Sequence, residues 1–222
     1  MAWFTKEYEQ FFKQLADNNE REWFHANKPR YEKHVKKPFE SFVADLILRM
    51  QQYDSACQIQ PKDAIFRVNR DIRFSKDKTP YKVQMSAVVG KGGKKESSLT
   101  GVYLELGSQH LRVYGGVYQS DKEQLRKLRQ EILYNTEDFS NVINEKSFKR
   151  VFQEIRGEKN KRLDPEFAEI LDQQPLIANK QFYYFANLDP DLITSDKLVD
   201  EIFKAFEVSL PVRNFLMTPL LD

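Results

Sequence analysis

Apolar residues in the first fifty positions recur at intervals of three and four, the spacing of one buried helix face. Tyr8, Phe11, Phe12 and Leu15 form the first such stripe, with Thr5 placed to cap it. Asn18 and Asn19 end that helix, and Asn19 with Glu22 three residues later predicts a cap for a turn carrying Trp23 and Phe24. Pro29 suits the first turn of a helix through Tyr31 and Val35. Pro38 starts or kinks a longer one with Phe39, Phe42, Val43, Leu46, Ile47 and Met50 on its buried side. After Pro61 the period drops to two. Strands are predicted over 64–69, 83–90, 101–106 and 111–118, with a hairpin connection at 107–110 and a bulge or close approach at Gly115 and Gly116.

Helical spacing returns after Ser120. Leu125, Leu128, Ile132 and Leu133 make one stripe, and Phe148, Val151, Phe152 and Ile155 make a second that follows Asn144 and stops near Gly157. Asp164 and Pro165 are a cap and first-turn pair. Residues 182–186 fit an edge strand or a helical turn equally well. Ser195 caps a last helix through Leu198, Ile202, Phe203 and Phe206, predicted to end near Pro211. Helices, a run of strands and helices again predict an α+β fold, with a mostly antiparallel central sheet of about four strands. No repeat or linker interrupts the chain, so residues 1–222 are expected to form a single domain.

Composition changes this picture little. The 222 residues include 17 Phe and 10 Tyr, which predicts an aromatic core. One cysteine, Cys57, excludes an internal disulfide. The start of the chain lacks the pattern of a signal peptide and no stretch is apolar enough to cross a bilayer, so cytoplasm is the expected location and a membrane is not an expected partner.

Charge changes it more. The formal net charge is +2, but residues 67–95 hold nine Lys or Arg against two Asp, which leaves −5 for the remainder. Six of those cations, Arg67, Arg70, Arg73, Lys76, Lys78 and Lys82, lie within sixteen residues beside Asp71, Asp77 and the hydroxyls of Ser75, Thr79 and Tyr81. Guanidinium forks match phosphate and carboxylate, and the turn at Thr79 and Pro80 would bring cations from both sides together. The expected ligand-binding residues are Arg67, Arg70, Asp71, Arg73, Lys76, Lys78, Tyr81 and Lys82, taking a phosphate-bearing or other anionic ligand, nucleic acid included. The alternatives are an enzyme on a phosphorylated substrate with Asp71 or Asp77 as base or metal ligand, and an interaction domain whose cations only make structural ion pairs. The segments RDIRFSKDKTPYK (70–82), NNEREWF (18–24), VYGG (113–116) and GEKNKRL (157–163) resemble the bacterial family known as domain of unknown function 2461, over a span from Phe11 to about Leu216. The resemblance implies a single cytoplasmic α+β domain and carries over no catalytic or binding residue.

His25, His34 and His110 lack the spacing of a metal site, and no Gly-rich phosphate loop or serine-hydrolase elbow is present. Neither a metal nor a cofactor is expected. Tyr114 and Tyr118 are aromatic candidates beside a ligand, on the ground that glycine between them leaves room. Oligomeric state is not legible.

Overall fold

A computed structural model describes residues 2–95 and 101–221. The amphipathic spacing of the first stripe is realised in α1 (Lys6–Asp17), which buries Tyr8, Phe11, Phe12 and Leu15. Thr5 occupies its cap position in extended backbone, but its hydroxyl makes no cap bond. Two short helices follow, α2 (Arg21–Ala26) and α3 (Lys28–Tyr31). A π-helical turn at Glu32–Lys36 then leads into α4 (Lys37–Met50), which buries all six residues of its predicted stripe. The wide turn sits where Pro38 supplies no N–H, so the helix continues by a local change of pitch instead of breaking.

The period-two stretch after Pro61 departs from expectation at its start. Residues Pro61–Ala64 form a single helical turn, α5, begun by proline at its first position. Residues 65–69 then make isolated bridges, Ile65 to Ala87 and Asn69 to Tyr81, and no regular strand. The other strands stand close to their predicted bounds as β1 (Gln84–Val89), β2 (Val102–Gly107) and β3 (Leu111–Val117). After β1 the chain makes a short helical turn at Gly93–Lys95, with Gly93 at φ +55.

Helices α6 (Lys122–Tyr134), α7 (Thr136–Asn144), α8 (Lys146–Phe152) and α9 (Pro165–Ala168) follow. Asp121 caps α6 by accepting from the Gln124 amide, and Glu145, the residue after Asn144, caps α8 by accepting from the Ser147 and Phe148 amides. Carboxylates suit that end of a helix. Gln153, at φ 68, ends α8 before Gly157 is reached. The ambiguous stretch becomes β4 (Phe182–Leu188). The last helix, α10 (Leu198–Met217), runs through Pro211 because Val212, Leu216 and Met217 beyond it are buried. Burial of that size outweighs the roughly 3 kcal/mol that an interior proline costs.

The four strands make one antiparallel sheet in the order β1-β2-β3-β4, with helices before and after it, an α+β fold. The described residues gather into two compact units. One contains residues up to 95 with 101–113 and 187–202, and the other contains 114–186 and 203–221. In the first, α1 and α4 bury their aromatic faces with one face of β1 and β2, and the Tyr8 hydroxyl donates to the Leu106 carbonyl at 2.9 Å. In the second, Phe148, Phe152 and Tyr184 cluster with ring centroids 4.8 to 5.2 Å apart. There the buried Arg129 donates to the carbonyls of Ile177 and Asn179. No helix among the described residues is long and apolar enough to cross a membrane.

Candidate functional site

The basic segment folds as an irregular hairpin. The Phe66 amide donates to Ser86 at 2.9 Å, Lys82 to Val68 at 2.8 Å and Arg70 to Pro80 at 2.8 Å, so 65–70 and 80–87 run antiparallel. Alternation survives along the first arm: Val68 is buried, Arg67 and Asn69 are exposed. Pro80 lacks an N–H and thins the ladder near the tip.

Two contacts seat this hairpin on the N-terminal helices. The Tyr81 ring stacks on Phe24, centroids 4.1 Å apart and planes at 14°. The Asn19 side chain bonds the Tyr81 backbone twice, donating to its carbonyl at 3.0 Å and accepting from its amide at 3.1 Å. Asn19 therefore holds the hairpin instead of capping α2, whose cap position is taken by Glu20. Tyr81, expected to face a ligand, is 5% exposed and acts as the seat. Asn19→Ala removes both bonds and leaves a backbone amide and carbonyl short of partners, so we expect a loss of about 1–3 kcal/mol in urea denaturation, with faster hydrogen exchange at the Tyr81 amide.

At the tip, residues 71–79, both acids are engaged within the loop. Asp71 accepts from Arg73 as a fork, at 3.0 Å from Nε and 2.7 Å from Nη2, and from the Arg73 amide at 3.2 Å. That guanidinium, with the amide behind it, holds the Asp71 carboxyl below its usual range. Asp77 accepts from the Thr79 amide and hydroxyl, both at 2.9 Å, and from Arg70, whose guanidinium also meets the Thr79 hydroxyl. The Thr79 amide first, then Arg70, pull the Asp77 pKa down to about 2. Lys78 donates to the Ile72 carbonyl at 2.9 Å. Carboxylates held ionised in this way are weak bases, which argues against Asp71 or Asp77 as a proton acceptor in catalysis. Their pairs occupy Arg70 and Arg73 in part, but the hairpin still carries six cations against two acids.

At the base of the hairpin, Lys82 is half-buried with its ammonium 5.4 Å from the Phe66 ring. Burial, chiefly, lowers its pKa, with Glu105 opposing that shift and Arg67 adding to it. Glu105 belongs to a polar group that sequence reading missed. The register pairs Ser86 with Glu105 and Val88 with Tyr103, so these share the sheet face opposite Met85, Ala87, Leu104 and Leu106. The Tyr103 hydroxyl donates to Glu105 at 3.0 Å, and Arg112 lies 3.8 Å from its other oxygen while donating to Asn187 at 3.1 Å. The His110 ring covers Gly107, within 2.5 Å of where a Cβ would stand, and its pKa is lowered by burial and then by Arg112. His110 Nε2 and the Ser86 hydroxyl are enclosed without a partner. Alternation in VYLEL and LRVY places Tyr103, Glu105 and Arg112 on one face of their strands, but strand register is needed to assemble them.

The glycines of β3 leave no room for a ligand. The Tyr184 ring lies within 2.6 Å of a Cβ built on Gly115, and the Phe182 carbonyl would overlap one on Gly116. Tyr114 packs on Phe185 and Tyr118 on Tyr183, at 5.1 and 5.3 Å. Among the described residues no three His, Cys, Asp or Glu side chains gather as metal ligands.

The family model for a conserved hypothetical protein, domain of unknown function 2461, matches residues 7–215. A comparison with curated proteins finds no match.

Proposed function

Since the chain belongs to the family domain of unknown function 2461, whose name assigns no chemistry, we propose from geometry and charge that it binds a phosphate-bearing or other anionic ligand, nucleic acid included, at the hairpin 67–82. The observation that carries this is the excess of cations on one braced element. Six Lys or Arg face two Asp there, and the rest of the chain outside 67–95 sums to −5. Such a field attracts an anion to one place and keeps it from the remainder of the surface. The internal pairs of Asp71 and Asp77 brace the tip, so its shape exists before a ligand arrives and less ordering is needed on binding. Arg67, Lys76 and Lys82 add charge beside that brace. Tyr81 positions the hairpin and does not contact the ligand.

Arg70→Ala combined with Arg73→Ala tests this reading. Neutralising two phosphate contacts should weaken inorganic polyphosphate binding roughly 10- to 100-fold at about 0.1 M salt. The melting temperature should change little, because ion pairs with at least one partner open to solvent contribute little to folding. A large fall in melting temperature with polyphosphate affinity unchanged would mean that the arginines serve the fold alone.

A further inference from the structure

Phe74 stands at the tip of the basic hairpin with 95% of its surface in water. The chain has 17 phenylalanines, all among the described residues, and none of the others is exposed. An isolated exposed ring is unremarkable on most surfaces. This one is distinguished by what surrounds it. The Arg73 guanidinium lies 5.8 Å from the ring centroid and is itself fixed by its fork to Asp71. The Lys78 ammonium closes the loop on the Ile72 carbonyl at 2.9 Å, and Lys76, two residues after Phe74, is exposed. The loop that presents the ring is braced on both sides, by Arg73 with Asp71 and by Arg70 with Asp77 and Thr79.

A ring offered to solvent on a braced loop among cations is the minimal equipment for holding an unpaired base. The ring stacks on the base while the flanking cations meet the phosphates on either side. Arg73 can extend the stack, since a guanidinium plane also packs on aromatic faces. A duplex offers phosphates but keeps its bases stacked on each other. A bilayer would accept the ring, but Phe74 is the one large apolar side chain exposed on the hairpin, too little area to anchor it in a membrane. We propose that the anionic ligand of the hairpin is single-stranded nucleic acid, and that Phe74 stacks on one of its bases. This rests on the anion-binding reading above and narrows it to one ligand class and one further contact residue.

Fluorescence anisotropy with labelled oligothymidine tests it, with an A·T duplex of equal length, inorganic polyphosphate and phosphatidylserine vesicles as the comparison ligands. Phe74→Ala should weaken oligothymidine binding roughly 5- to 100-fold, the range found when a stacking side chain is removed. Binding of polyphosphate and of duplex should stay within about twofold, and Phe74→Tyr should restore the single strand to within about threefold. Three results would overturn the inference and leave general anion binding standing: unchanged oligothymidine affinity in Phe74→Ala, an equal loss on polyphosphate, or a loss confined to vesicles. Absence of binding to every polyanion by the native chain would overturn both readings together.

Discussion

Phe11→Ala is expected to destabilise the protein by about 3–5 kcal/mol, the cost of truncating a fully enclosed phenylalanine whose surroundings relax only in part. Phe11 is fully buried at the centre of the N-terminal aromatic cluster. Its centroid lies 5.6 Å from Phe12, Trp23 and Tyr31 and 6.2 Å from Phe24, and the Arg30 guanidinium sits 5.9 Å above it. The void left by alanine is bounded by rings on three helices, so no single rotamer change fills it. The consequence reaches the candidate site through one step, because Phe24 is also the ring on which Tyr81 stacks. Urea denaturation gives the stability, and hydrogen exchange at the Tyr81 amide reports the hairpin. A loss below about 1 kcal/mol would show that the ring cluster is not packed as described.

Gly116→Ala is the second large effect. Gly116 adopts φ +90, a region that L-residues occupy only under strain, and the neighbouring backbone oxygen of Phe182 fills the space a methyl would take. Backbone strain and a clash with main chain act together, and neither is relieved by a side-chain rotation. We expect a loss of at least about 2 kcal/mol in denaturation. Wild-type stability in the alanine variant would show that β3 and β4 do not approach there as closely as described.

These two sites differ in how far sequence reveals them. The stripe of Tyr8, Phe11, Phe12 and Leu15 is a local pattern, and α1 buries those four residues as the period predicts. The same holds for α4, and for β1, β2 and β3 within a residue or two. The doublet Gly115-Gly116 announces a close approach but not its occupant, which is supplied by residues 182–184 far along the chain. Long-range partners explain the misses as well. Residues 64–69 alternate like a strand, yet they pair with 81–87 through isolated bridges only, because Pro80 and the bent tip interrupt the ladder. Asn19 is a plausible cap by its neighbours, and it is drawn to the Tyr81 backbone by a contact 62 positions away. Pro211 is a local stop that buried residues after it override.

The candidate site shows the same division. The concentration of charge in 67–82 is visible by counting, and the bend at Thr79 and Pro80 is readable from residue types. The assignment of Asp71 to Arg73 and Asp77 to Arg70 is not, since each acid has several cations within reach along the chain. Tyr81 could not be sorted into seat or ligand contact without Phe24 beneath it. Phe74, two residues before Lys76, reads as one more core aromatic until its exposure is known. The polar group around Glu105 becomes visible only when the strands are set in register.

The central claim is that cations on both arms and at the tip of one hairpin meet the same polyanion. The salt dependence of oligonucleotide binding tests it most directly. With about four to six phosphate contacts on oligothymidine, log affinity should fall against log salt with a slope of roughly −3 to −4, and Arg67→Ala with Lys76→Ala should flatten it by about 1.4. A slope near zero, or the native slope retained in that variant, would contradict the account.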